Sequence, residues 1–249
     1  MHLEEFSEGN SFLHRCDPRV KFLVFLIFAV SCAISQGIFI PFLFLFYSLV
    51  FLFLGKIPFK PLLKRLFAAN FFIFFLWLFI PFSYPGHYIH IGFLKISKEG
   101  ILYVLSITLK CNAIIIATIS LISTSSIFSL AHALLHFRVP QKLIIVFFLF
   151  YRYISVMHEE YDKLKRAVLG RGFVPGTNLH TYRTYAYLIG SLLLKSFERA
   201  EEVYKAMLCR GFSGFFPLLE HFYLRKIDIL FGFVAIFLTA GIFFLRFLL

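Results

Sequence analysis

EEYDKLKRAVLGRGF at residues 159–173 and ERAEEVYKAMLCRGF at residues 198–212 are one sentence written twice. Sliding the first by 39 positions sets Glu159 on Glu198, Ala167 on Ala206, and Arg171-Gly172-Phe173 on Arg210-Gly211-Phe212. Each copy reads as a helix with the same stop. A Gly just past the last helical residue takes the left-handed conformation that closes a helix, and the following residue packs back on the last turn. The pattern predicts Arg171 and Arg210 as C-caps, with Phe173 against Val168 and Phe212 against Met207. Pro175 and Pro217 then forbid resumption.

Each copy is also two-faced. Met157, Tyr161, Leu164 and Val168 fall at i, i+4, i+7 and i+11, and Phe197, Ala200, Tyr204 and Met207 or Leu208 repeat the stripe. The opposite faces carry Glu159, Asp162, Lys163 and Arg166 in the first copy, and Glu198, Glu201, Glu202 and Lys205 in the second. Ala167 and Ala206, one turn before each Arg, leave room for another backbone. A single Arg at a helix C-terminus is explained by the helix dipole, worth ~0.3–1 kcal/mol. Two with the same Ala, Arg, Gly and Phe spacing point instead to a docking surface.

The rest of the chain is membrane. Its 249 residues are 60% apolar and 20% aromatic, with 37 Phe and a mean hydropathy of +0.84, outside soluble composition. About 20 apolar residues span a bilayer, with a range of roughly 17–25. Runs of that length predict spans at 20–36, 38–54, 67–83, 101–122 and 229–248. Only Gly37 separates the first two, which demands a tight hairpin or a partly re-entrant piece. Glu4, Glu5 and Glu8 before a late apolar run do not resemble the basic start of a cleaved signal. The domain reading is 1–122 with four spans, 123–228 as the paired-helix region, and 229–249 as the last span.

Lys and Arg number three through Lys21, four in 55–66, two in 84–100 and 14 in 123–228. Alternation from a cytoplasmic N-terminus puts the segments of three, four and 14 inside and that of two outside, as the positive-inside rule requires. The formal charge of +12 is thereby explained without nucleic acid. A short amphipathic helix is expected around 130–137, and the first arm starts near Gln141 with an apolar half through Tyr151.

Lys110 is the clear intramembrane charge and reads equally as a functional group or a structural contact. Arg246 snorkels from a span end. His132 with His136, and His87 with His90, lack the third ligand of a metal site. Cys16, Cys32, Cys111 and Cys209 show no pairing pattern. No HExxH, GxSxG, Asp-rich pair or GxxxxGK[ST] occurs, and GRGFVPGTN at 170–178 lacks the lysine and the spacing of a phosphate loop. The expectation is an all-α membrane protein without metal, cofactor or catalytic residues, acting with partners rather than as an enzyme or a stand-alone transporter.

SFLHRCDPRVKF (11–22), RYISVMHEE (152–160) and SFERAEEVYKAMLCRGF (196–212) resemble the transmembrane coupling protein of energy-coupling factor transporters, the CbiQ/EcfT family, and more closely its cobalt and nickel CbiQ branch than its vitamin-associated one. The resemblance implies about five spans and a cytoplasmic pair of coupling helices, each with a short Ala-Arg-Gly signature docking on one of two ATPases. The matching positions here are Gly170-Arg171-Gly172 and Cys209-Arg210-Gly211, with Gly and Cys in place of Ala. It further implies CbiO-like ATPases, a CbiM-like substrate-binding membrane subunit with or without a CbiN-like one, and cobalt (as for cobalamin biosynthesis) or nickel as cargo. A shared vitamin-type module remains the alternative.

Overall fold

A computed structural model describes Gly9 and residues 11–85, 88–91, 94–136, 139–214 and 225–245. Its elements run α1 (Phe12–Arg15), α2 (Pro18–Ile34), α3 (Phe39–Gly55), α4 (Phe59–Ser83), β1 (Tyr88–Ile91), β2 (Leu94–Ser97), α5 (Lys98–Ala117) continued by a π-turn (Thr118–Ile122), α6 (Ile127–His136), α7 (Gln141–Gly170), α8 (Leu179–Cys209) and α9 (Lys226–Phe244). Two compact units divide the chain, one of Leu134–His221 and one of His2–Ala133 with Phe222–Leu249.

In the second unit every expected span is a helix. Phe59–Ser83, Lys98–Ile122 and Lys226–Phe244 are long and apolar enough to cross a membrane, and Phe39–Gly55 is a shorter apolar helix. The 17-residue α2 and α3 reach ~26 Å each, the low end for a crossing. A tight turn joins them, with Gly37 at φ +74°, where a side chain would be strained.

Two sequence expectations shift. The segment between α4 and α5 is not plain loop: β1 and β2 pair antiparallel, Tyr88 opposite Ser97 and Ile91 opposite Leu94. The helix of the fourth span, α5, starts at Lys98 rather than 101 because Ser97 caps it, accepting from the Gly100 amide at 3.2 Å. Gly100 itself lies against α4, where an added Cβ would sit 3.1 Å from Pro81 Cα and 3.2 Å from the Ile80 carbonyl.

The core of this unit is aromatic at its centre. Phe28 meets Phe44 edge-to-face at 5.4 Å and Phe51 at 6.0 Å, while Tyr47 lies 4.6 Å from Phe51. The Tyr47 hydroxyl donates to the Ala235 carbonyl at 3.2 Å, which fastens α3 to α9. Between α4 and α5 the glue is polar. Asn70 and Asn112 exchange amide hydrogen bonds at 2.9 and 3.1 Å, and Trp77 donates to Thr108 at 3.1 Å. Such pairs hold membrane helices together where apolar burial cannot.

Lys110 resolves as a structural contact. Its ammonium donates to the Ala33 carbonyl at 3.1 Å and to the Ser35 carbonyl, and one turn away Ser106 donates to the Gly37 carbonyl at 2.8 Å. Side chains of α5 thus satisfy the carbonyls that the α2–α3 turn leaves open. Cys16 and Cys32 are buried. Burial, then the Asp228 carboxylate, pushes the Cys16 thiol up to about 11.

The first unit contains the two long helices, α7 with 30 residues and α8 with 31, each ~45 Å long. They form an antiparallel hairpin across the short connection 171–178.

Candidate functional site

The hairpin's closing geometry follows from the repeated sequence. Arg171 and Arg210 are the C-caps, followed by Gly172 at φ +80° and Gly211 at φ +77°. At the second tip the Phe212 amide donates to the Met207 carbonyl at 3.1 Å and the Gly211 amide to Leu208 at 2.9 Å, the two bonds of a Schellman closure. At the first, Gly172 donates to Leu169 at 3.0 Å. Phe173, expected against Val168, has its ring at the start of α8, 6.0 Å from both His180 and Tyr185.

Gly211→Val places a β-branched side chain at a positive φ and costs ~1–2 kcal/mol. The expected result is fraying of the last turn of α8, read as faster amide exchange at positions 211 and 212 with the rest of α8 unchanged.

Both arginines are exposed, as are Ala167, Gly170, Ala206 and Cys209. Among the described residues neither guanidinium makes a hydrogen bond or an ion pair, so each fork of donors is open to solvent. The tips face away from each other. Val146, Phe150, Tyr153 and Met157 of α7 line a groove of about 340 Å³ with Ala200, Val203, Tyr204 and Met207 of α8, so rising numbers on one helix meet falling numbers on the other. Beyond this, Lys195 pairs with Glu160 at 3.0 Å. Counting 1.5 Å per residue from that pair, Arg171 lies ~16 Å one way and Arg210 ~22 Å the other.

The predicted stripes are placed as follows. Met157, Tyr161, Leu164 and Val168 are all half-buried. On α8, Met207 is half-buried and Ala200 and Tyr204 border the groove, Tyr204 with 57% of its surface still exposed. Phe197, 66% exposed, lies instead in a shallow depression with Ala186, Gly190 and Leu194. The inward stripe of α8 is completed by Leu188, Leu192, Ser196 and Val203.

Glu160 sits at the middle of the hairpin. Hydrogen bonds from Lys163 (2.8 Å) and then from Lys195 (3.0 Å) hold its carboxyl at about 2. A depressed carboxylate stabilises the fold above its unfolded value of about 4.3 and loses that contribution as pH falls through about 2. The expected result is a carboxyl infrared band, assigned by difference from Glu160→Gln, that titrates near 2 rather than near 4.

Sequence reasoning missed a second cluster. Lys21, counted there among the loop cations, is 1% exposed. It donates to the Leu13 carbonyl at 2.9 Å and to Thr124 Oγ1 at 3.4 Å. Buried Asp17 and Asp228 stand close enough to act on it electrostatically. The signal was present in DPRVKF, where a Lys enters an apolar run four residues after an Asp.

No group of three metal-binding side chains occurs among the described residues. His87, Phe137, Pro217 and Arg246 lie outside them, as do the side chains of His90, His132 and His136.

Several apolar spans with a long helical hairpin define a multi-pass membrane protein. The family model described as CbiQ, cobalt transport protein, matches residues 9–221, and the chain belongs to that family. It is similar to the energy-coupling factor transporter transmembrane protein EcfT of Staphylococcus aureus, 31% identical over 218 residues covering 82% of this chain and 81% of that one. The proteins of the same name from Acidaminococcus fermentans (29% identical; 85% and 83% covered) and Bacillus subtilis (26%; 86% and 85%) are also similar. The chain is thus a transmembrane component of an energy-coupling factor transporter, a non-catalytic membrane subunit.

Proposed function

We propose that this protein transmits ATP-driven motion from two ATPase subunits to a substrate-binding membrane subunit, and that Arg171 and Arg210 are the docking points. The observation that carries the reading is the pair of unengaged guanidiniums on helix ends that both stop at an Arg C-cap followed by a positive-φ Gly, at opposite ends of one hairpin. Two separate partners, or two copies of one, can each receive a tip. Arg offers a planar fork suited to carboxylates and backbone carbonyls that Lys does not reproduce. Ala167, Gly170, Gly172, Ala206, Cys209 and Gly211 keep the surroundings small enough for close approach.

In this reading residues 1–122 and 229–249 form the membrane domain and 123–228 the coupling region. The distribution of Lys and Arg supports a cytoplasmic N-terminus and cytoplasmic coupling helices. The ATPases are CbiO-like and the substrate-binding subunit CbiM-like, with cobalt or nickel ion as cargo. The family description supports cobalt.

Gentle purification from native membranes, with mass spectrometry of the co-purifying chains and metal analysis, tests this. ATPases with a CbiM-like subunit and bound cobalt or nickel are expected. A vitamin-binding subunit in its place would overturn the cargo, and a chain that emerges alone and active would overturn the role.

A further inference from the structure

The cluster around Lys21 joins three segments that are distant in sequence. Lys21 binds the N-terminal segment at Leu13 and the end of the fourth span at Thr124. The Cys16 thiol stands beside the Asp228 carboxylate, which receives the Arg225 amide at 3.1 Å in the first turn of α9. Asp228 is 3% exposed and Thr124 2%. In chain order, Thr124 is where the polypeptide leaves the spans for the arms, and Arg225 to Asp228 is where it returns. Both connections therefore end on one buried charge cluster.

The departing segment is itself unusual. Thr118–Ile122 is a π-turn, with the Ser123 amide reaching the Thr118 carbonyl at 3.2 Å. Thr118, Ser120 and Thr124 send their hydroxyls back to the carbonyls of Ile114, Ile116 and Ser120. Back-bonded hydroxyls bend helices, and π-turns inside helices mark functional positions. A π-turn holds one residue more than an α-turn. Releasing that residue rotates everything after it by roughly 100°, and so carries Thr124 away from Lys21.

We infer that the π-turn Thr118–Ile122 is a two-state hinge through which motion of the arms enters the spans, and that Lys21 is the positioning residue that clamps one of its states. The inference rests on the coupling role proposed above. Force applied along the arms reaches the spans at Thr124 and Asp228, and the ammonium between them makes the two attachments respond together. Hinge action needs an element with two discrete arrangements that the partners bias differently, and the register of the π-turn supplies it.

The test is hydrogen exchange on the complex as purified, without nucleotide and with the non-hydrolysable analogue AMP-PNP. In the wild type, amides of 118–126 are expected to change exchange rate at least tenfold between the two conditions, while 22–34 in α2 hold constant. Lys21→Met should exchange fast at 118–126 in both conditions, with ATPases still bound and 66–112 unchanged, and Lys21→Arg should keep the wild-type difference. Equal exchange in both conditions in the wild type, or a full wild-type difference in Lys21→Met, overturns the inference. Acceleration spread evenly over all spans in Lys21→Met also overturns it, leaving a fold anchor only. A preparation without ATPases strikes at the coupling role instead. In that case the chain alone still decides the clamp, because Lys21→Met must accelerate 118–126 selectively.

Discussion

Arg171→Ala combined with Arg210→Ala leaves the protein inserted at wild-type abundance and lowers ATP-coupled uptake at least tenfold, with each single change intermediate. A hydrogen bond to a charged group contributes ~1.5–3 kcal/mol, so losing one tip weakens that docking contact roughly 10- to 100-fold. Losing both removes the two places where force enters the hairpin. Both side chains are exposed and unengaged among the described residues, so the substitutions leave the fold intact, and the loss is one of coupling. Lys at either position restores charge but not the fork and is expected to recover only part of the activity. Uptake in vesicles at matched protein abundance, set beside the amount of ATPase retained on purification, checks the result. Normal uptake by the double variant removes the docking assignment.

Lys110→Met has the opposite signature, acting on stability rather than docking. The substitution keeps the length of the side chain and deletes the donor shared by Ala33 and Ser35. Two carbonyls at the end of α2 are then left without it inside an apolar bundle, at ~1–3 kcal/mol each. Summed with partial relaxation, ~2–4 kcal/mol lowers the melting temperature by roughly 5–15 °C for a chain of this size. Thermal unfolding of the detergent-solubilised protein measures it. A melting temperature within a degree or two of wild type would mean the turn does not depend on Lys110.

How much of this was legible in sequence depended on how local the cause was. The two helix stops were legible, because a stop is written within six residues and here it is written twice, but the turn of Phe173 toward α8 was not. The spans were legible because their apolar runs are bounded by Pro18, Gly37, Pro58 and Lys226. The hairpin's inner surface was only half legible. Met157 to Val168 alternate sharply with charges, but the run LIGSLLLKSF in α8 is apolar on several sides, so sequence did not say that Leu188 turns inward while Phe197 stays exposed. DPRVKF hinted that Lys21 enters an apolar run, but its partners Thr124 and Asp228 lie more than 100 residues away, so the cluster it joins was not legible. Lys110 stood out as a charge in a span, yet its role depended on a turn 75 residues earlier.

The central claim is that each arginine tip seats on an ATPase. Cys209 is exposed and adjacent to Arg210, whereas Cys16 and Cys32 are buried and Cys111 half-buried. A short thiol-reactive photo-cross-linker on Cys209, activated in native membranes, is predicted to capture an ABC-type ATPase. The adduct should disappear in Arg210→Ala and persist in Arg171→Ala. Capture of lipid or of the substrate-binding subunit alone, with no ATPase adduct, would contradict the account.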